Sequence, residues 1–380
     1  MTKTRDHSES LLLELTALPT AAGKEHRVQD FLDRWLARRS RSLNWRRDRA
    51  GNLLIRRKAP GRTPPLLITA HLDHPAFVVR GSEGRELELE FRGGVHDAYF
   101  VDSRIEVFTS DGGRRLGRIT ELDAAAKPFK RVRARLTGGS GAIEAGDVGR
   151  WLFPPASISK DRLRTNACDD LAAVAAALEA FDTIRGKRGC EHVGLLFTVA
   201  EEVGFLGAIE VARNATRGRG GLVPRSSRLV CLENSRSFAE SPIGGGPIVR
   251  VGDRMSVFSP DLTNSISSIC QDESKRDPGF RWQRRLMPGG ACEATAFSSF
   301  GFESTCLCLP LGNYHNMQRV DEVLAGKVPA RVGREEISMS DYRGLVRMLE
   351  LVARRLDRET GSTRSRLERL HEERRFVMEG

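Results

Sequence analysis

The chain has 380 residues, 39% hydrophobic and 29% charged, with a formal charge of +11 at neutral pH. That is enough chain to bury a large core in two domains, while seven cysteines without a C-x-x-C pair argue against a disulfide framework or a zinc ribbon. No apolar run approaches the roughly 18 residues of a membrane span and the start lacks a secretory h-region, so a cytoplasmic protein with no membrane partner is expected.

The positive charge raises nucleic acid as a partner, but aromatic residues are only 6% of the chain. The arginines are dispersed over helix faces rather than interleaved with stacking side chains, which describes a solvated basic surface better than a nucleic-acid groove.

Leu11, Leu12, Leu15 and Leu18 read as a short helix closed by Pro19. Val28, Phe31, Leu32, Trp35 and Leu36 follow helical spacing, giving a second helix over 24–39 with Arg34, Arg38 and Arg39 in solvent. A turn at Asp48–Asn52 leads into a strand at Leu53–Ile55. Pro64 and Pro65 open another, Leu66–Ala70, which delivers His71-Leu72-Asp73-His74. In extended chain His71 and Asp73 share a face. A ligating imidazole usually donates its second N–H to a carboxylate, and Asp73 suits that task.

From Ala76 to Ile158 the texture changes. Leu87, Leu89 and Phe91 alternate with Glu86, Glu88 and Glu90, and Val132, Ala134 and Leu136 alternate with Arg131, Arg133 and Arg135. This pattern predicts a small antiparallel β module with one wet face. The expected organisation is therefore a discontinuous α/β domain, 1–75 and 159–380, interrupted by a barrel-like insertion at 76–158. His96 and Asp97 read as surface residues of the insertion.

The α/β texture returns at Cys168-Asp169-Asp170, ahead of the buried helix LAAVAAALEAF. One aspartate suits an N-cap, but capping hardly requires both, and Cys168 reads as a core residue. Val193–Val199 is a strand buried on both faces that ends in Glu201 and Glu202. Two carboxylates at a strand mouth are costly unless compensated, and open parallel sheets place reactive groups at the carboxyl ends of strands. Neighbouring residues there point in different directions, so one acid can hold a cation while the other faces substrate. The plain alternative is an acidic pair opening a surface helix.

Arg228–Asn234 repeats the pattern of an apolar strand ending in a carboxylate, Glu233. Gly244–Pro247 is a turn without phosphate-loop spacing. Pro288–Ala294 is a tight loop feeding a helix that carries Phe297, with Cys292 and Glu293 as candidate pocket residues and helix capping as the alternative for Glu293. The strand Ser304–Leu309 runs toward His315. Ser338 and Asp341 form a capping box for a final amphipathic helix through Leu356, and the charged tail after Gly361 reads as solvated helix or disorder.

His71, Asp169, Glu202, Glu233 and His315 thus stand near strand ends or helix starts. One cation does not need so many ligands. Two do, if a carboxylate bridges them, and this N/O donor set suits Zn²⁺, with Co²⁺ or Mn²⁺ as alternatives. Such a pair clamps a bridging hydroxide as nucleophile and polarises a carbonyl. Glu201 is left as an unligated general base.

At this point the chain resembles the co-catalytic dizinc aminopeptidases of the tetrahedral-aminopeptidase and glutamyl-aminopeptidase type. AHLDH resembles their A-H-x-D-E, CDDLAA their D-D-x-x-G, and VAEEVGFLGA their E-E-V-G-x-x-G-A. RAGNLLIRR and GGGPIV are similar to their early G-N strand and G-x-G-P turn. The resemblance implies a zinc-exopeptidase-like mixed central sheet flanked by helices with an inserted antiparallel β domain, and short peptides as substrates. It also implies Asp169 as the bridge, His71 and Glu233 sharing two sites with Glu202 and His315, Glu201 as the base, and a homo-oligomer.

The departures are His74 for the usual Glu, Glu293 in the region of the usual Asp, GNYHNM for a Y-x-H-S ending, and Glu233 for the commoner Asp. His74, Cys292 and Glu293 are accordingly placed toward substrate. A metal-dependent amidohydrolase or deacylase of small N-acyl substrates is the alternative in the same class. A non-catalytic, basic nucleic-acid-binding protein on the same fold is the alternative from another.

Overall fold

The structure, a computed structural model, describes residues 2–61, 64–218, 221–358 and 363–378. Helices α1 (Thr2–Thr16) and α2 (His26–Ala37) precede a hairpin, β1 (Leu43–Arg47) and β2 (Leu53–Arg57), and then β3 (Leu66–His71). Six strands follow: β4 (Ala76–Glu83), β5 (Glu86–Arg92), β6 (Arg104–Phe108), β7 (Arg114–Asp123), β8 (Lys130–Ser140) and β9 (Val148–Trp151). They close into a barrel in the order β4-β5-β8-β7-β6-β9.

The chain continues through β10 (Ser157–Ser159), β11 (Arg162–Thr165), α3 (Leu171–Ile184), β12 (Val193–Thr198), α4 (Leu206–Thr216) and β13 (Arg228–Arg236). Next come β14 (Ile248–Asp253), α5 (Pro260–Arg276), β15 (Gln283–Met287), α6 (Glu293–Ser299) and β16 (Glu303–Leu311). The last elements are α7 (Val320–Leu324), β17 (Glu335–Ser338), α8 (Met339–Arg355) and α9 (Thr363–Arg374).

The main sheet has the order β1-β2-β12-β3-β13-β16-β14-β15. Its centre, β12, β3, β13 and β16, is parallel, while β2 and β14 flank it antiparallel. The expected mixed α/β architecture with a small antiparallel β module is the one observed. The central strands are apolar runs because helices cover both faces. α3 is buried on every side between the sheet, α1 and α8, which explains its alanines: small side chains let all three neighbours approach. Its Glu179 accepts hydrogen bonds from Ser8 at 2.8 Å and Tyr342 at 2.9 Å. The barrel has its own core, in which Phe77, Phe91, Phe100 and Trp151 pack edge to face.

Three local readings need correction. β1 was not anticipated: only Leu43 of Leu-Asn-Trp-Arg-Arg is buried, so no alternation marks it. The capping box at α8 is half formed. Ser338 Oγ accepts the Asp341 N–H, but the Asp341 carboxylate turns away to accept the N–H groups of Gly244 and Gly246. Asp170 sits at the N-cap of α3 without capping it, because its carboxylate is engaged in the site described below. In the charged tail, α9 is a helix whose described side chains are mostly exposed.

The start of α4 is tied to the sheet by Asn52. Its Oδ1 accepts the Val199 N–H at 3.1 Å and its Nδ2 donates to the Gly207 carbonyl at 3.2 Å. A Cβ at Gly207 would lie 2.4 Å from the Val199 oxygen and 2.5 Å from Asn52 Oδ1. Gly207→Ala is therefore expected to lower stability by about 1–3 kcal/mol through overpacking. An unchanged urea midpoint would contradict this close approach.

Candidate metal centre

Because β3, β12, β13 and β16 are parallel, their carboxyl ends open on one side of the sheet. His71 is the last residue of β3, Glu233 lies toward the end of β13, and Glu201, Glu202 and His315 lie just past β12 and β16. Asp169 and Asp170 come from the β11–α3 connection.

Asp169 joins the two halves of the cluster. Its Oδ1 is 3.3 Å from His71 Nε2 and its Oδ2 is 3.3 Å from His315 Nε2. His315 Nε2 is also 3.4 Å from Glu202 Oε1. Candidate ligand atoms of His71, Asp169, Asp170 and Glu233 lie within 4.8 Å of one another, as do those of Asp169, Glu202 and His315, and those of His71, Glu201 and Glu202. Glu201 Oε2 lies 4.0 Å from His71 Nε2. All five expected ligands and the expected base are thus brought together.

A second layer aims these groups by accepting backbone N–H bonds. Asn52 takes Val199, Glu25 takes Ala200 at 3.0 Å, and the two oxygens of Asp73 take Glu201 and Glu202 at 3.0 Å each. Four consecutive amides at the mouth of β12 are thereby satisfied by three buried side chains. Asp73 does more than the expected support of His71: Oδ1 lies 3.4 Å from His71 Nδ1, but the nearer acceptor for that ring is the Asp73 carbonyl at 3.2 Å. His315 Nδ1 meets the Gly94 carbonyl of the barrel at 2.6 Å, and Tyr314 stacks on its ring at 3.7 Å.

The electrostatics follow from burial. Burial pushes Asp170, Glu201 and Glu233 well above the ordinary carboxylate range, and neighbouring acids add to the effect. Burial also opposes charge on Asp169, yet the His315 and His71 imidazoles, each 3.3 Å from one of its oxygens, hold it below that range. Burial likewise works against charge on the two imidazoles, but the surrounding carboxylates raise both well above the usual histidine value. The cluster demands positive charge, which a divalent cation supplies. Asp169 Oδ1 and Glu202 Oε1 are buried without a hydrogen-bond partner. Orphaned carboxylate oxygens beside imidazole nitrogens fit a metal site.

The three residues expected to touch substrate are buried and stand outside the lining of the adjoining cavity. His74 is buried between the Asp169 carbonyl and Asn316 Oδ1, so it supports backbone. Cys292 is the buried N-cap residue of α6, within an apolar cluster. Glu293 opens α6, where Thr69 donates to it at 3.3 Å and burial pushes it up to about 7. None of them lines the cavity onto which the cluster opens. That cavity is walled by Asn234, Ser235, Arg236, Phe238, Arg250, Met287, Gly289–Ala291, Tyr314, Met317 and Val320. Sequence reading missed Asp170, which accepts from Asn234 at 2.7 Å and from the His71 N–H at 3.3 Å. It also missed Glu25, Glu335 and Arg250, none of which stands in a motif.

Zinc added to chelator-treated protein is expected to raise the melting temperature, by the equivalent of about 2.7 kcal/mol at a hundredfold excess over Kd; no rise would remove the metal reading. Glu25, ordinarily 4.5, is pushed up to about 7 by burial and by Asp73. The fold favours its protonated form, so this contribution is complete below 4.5 and is lost as pH rises through about 7. In Glu25→Gln the amide oxygen can still accept the N–H groups of Gly23, 2.8 Å away in the wild type, and Ala200. Its unfolding free energy should fall less than that of the wild type between about pH 5 and about pH 8, as denaturation at each pH would reveal.

Comparison with known proteins agrees with this geometry. Residues 139–324 match the profile of the M42 glutamyl aminopeptidase family. Three solved structures share the fold. A TET aminopeptidase from the marine sediment archaeon Thaumarchaeota archaeon SCGC AB-539-E09 is 19% identical, with a TM-score of 0.74 over 93% of this chain and 97% of that one. The aminopeptidase APDkam598 of Desulfurococcus kamchatkensis is 19% identical, with a TM-score of 0.72 over 94% and 98%. The Pyrococcus horikoshii TET1 peptidase is 20% identical, with a TM-score of 0.70 over 91% and 99%. The matched segment, just under half of the chain, holds Asp169, Glu201, Glu202, Glu233 and His315, and together with the shared fold it supports a metal-dependent aminopeptidase of the M42 type.

Proposed function

We propose that the protein is a dinuclear aminopeptidase that removes N-terminal residues from short peptides. The observation that carries this reading is the position of Asp169, one oxygen toward His71 and the other toward His315. A carboxylate so placed suits a bridge between two cations. His71 and Glu233 then complete one position, and Glu202 and His315 the other. Zinc fits the N/O donor set, with cobalt or manganese as functional substitutes. When bound, the ions acidify a water and polarise the scissile carbonyl.

Glu201 stands at the cavity wall with Oε2 4.0 Å from His71 Nε2, and in this reading it is left free of the two ligand positions. It takes a proton from the attacking water and delivers it to the leaving amine. Burial favours the protonated form that the second half of that transfer needs. Asp73 keeps the Glu201 backbone in place, so the base is aimed by two fixed amides rather than by its own flexible stem. The adjoining cavity, with Phe238, Met287, Met317 and Val320 on its wall, receives the N-terminal side chain.

Residues 1–75 and 159–380 form the catalytic unit in this reading, and 76–158 an accessory barrel that reaches His315 through Gly94. The P. horikoshii TET1 peptidase assembles into a tetrahedron or a large octahedral shell. A closed homo-oligomer of this chain follows the same plan, restricting entry to short peptides. A cytoplasmic location suits its seven free cysteines.

Glu201→Gln is expected to lower kcat for release of a free amino acid from aminoacyl amides by roughly 10²–10⁴-fold, with both metals retained. Full activity in that variant would remove Glu201 as the base. Turnover of acylated amino acids with none of free-amine substrates would move the assignment to a deacylase.

A further inference from the structure

Glu335 is the first residue of β17, a strand of four residues that lies between two segments serving the metal centre. On one side Thr165 of β11 pairs with Glu335, just before the chain reaches Asp169. On the other, Gly312 and Glu336 exchange backbone hydrogen bonds of 2.9 and 3.1 Å, just before the chain reaches His315. The Glu335 side chain spans the gap. Its Oε2 accepts the N–H groups of Cys168 at 2.7 Å and Asp169 at 3.0 Å, and its Oε1 accepts that of His315 at 2.8 Å.

The carboxylate is fully buried, and among the described residues no basic side chain forms an ion pair with it. It also falls outside the groups of candidate ligand atoms. A buried acid without a counter-cation is costly, and water or a neutral amide would satisfy isolated N–H groups at lower cost. Two oxygens on one rigid carbon do something those cannot. They fix the separation of amides that belong to distant parts of the chain. His315 has particular need of such a hold, because its φ of +53° lies in the left-handed region that side chains other than glycine seldom adopt.

We propose that Glu335 is a positioning residue of the metal pair, locking the bridging Asp169 and the His315 imidazole into one unit so that the cation position between Asp169, Glu202 and His315 is preformed. This rests on the dinuclear reading above. The two oxygens of Asp169 face different histidines, so a small rotation of its backbone moves both cation positions together. Holding its N–H and that of His315 on one carboxylate removes the rotation that would separate the second set of ligands.

The test compares the full-length wild type with Glu335→Gln and with the neighbouring control Glu336→Gln, each stripped with chelator and titrated calorimetrically with zinc. In Glu335→Gln the amide oxygen can face Cys168 and Asp169, which leaves the NH₂ group against the His315 N–H, donor to donor. The expected result is that one of two zinc ions is weakened about 10–100-fold while the other binds as in the wild type. Excess zinc should restore kcat with KM unchanged, and Glu336→Gln should bind both ions normally. A Glu335→Gln variant that binds both ions like the wild type, and only melts earlier, overturns the proposal in favour of a purely structural acid.

Amide hydrogen exchange on the stripped wild type supplies an arm that needs no variant. The Asp169 and His315 amides should be protected together, and fast exchange at His315 overturns the clamp even if the variant does not fold. Binding of fewer than two zinc ions by the wild type would instead defeat the dinuclear reading, and exchange still decides whether Glu335 holds the two amides.

Discussion

Asp169, Asp170, Glu201, Glu202 and Glu233 converge on two imidazoles in a space largely closed to water. Two like charges 4 Å apart repel by about 4 kcal/mol at an effective dielectric of 20. A few such pairs rival the roughly 5–15 kcal/mol that separates a folded domain from its unfolded chain. The cluster therefore exists only with compensating positive charge, shared among protons on the imidazoles or supplied by cations. The rest of the site can be read as the means of keeping these acids together.

Those means separate the acids into two kinds. The carboxylates of Asp73, Glu25, Glu335 and Asp341 are directed to backbone N–H groups and fix loops. Asp169 Oδ1 and Glu202 Oε1 meet no donor and face the imidazoles. Residue type and burial are alike in the two kinds. The partner differs, and with it the chemistry: an oxygen occupied by an amide aims another group, whereas an oxygen left open is available to a cation. His74, Cys292 and Glu293 illustrate the same point from the other side. Their types suit a binding pocket, but each is buried and none is among the residues that line the cavity.

The barrel is part of this arrangement. Its Gly94 carbonyl receives the His315 ring, and Tyr99 donates to the Gln318 carbonyl at 2.7 Å. The loop after β16 is thus gripped from the barrel side as well as by Glu335. Opposite the acids, Arg250 is buried with donors toward Ser235 and Gly290, giving the cavity one cationic wall beside its apolar one.

The amino-acid sequence by itself determined the central strands, the acids and histidines that stand near their ends, and the resemblance to the family. An apolar run long enough for a doubly covered strand is recognisable locally, and a carboxylate pair at its mouth contradicts that apolarity unless it has work to do. The alternation at 87–91 and 132–136 marked the inserted β module for the same local reason. Apart from Asp73, the second layer was not legible. Glu335 and Glu25 lie in stretches with no motif, because their partners are backbone groups, and every residue carries those. Asp170 looked like a helix cap because an N-cap and a buried acceptor for Asn234 require the same side chain at the same place. Only the tertiary structure decided which acids face cations and which hold amides, since that depends on what lies within about 3 Å across the fold, a distance that spacing along the chain does not encode.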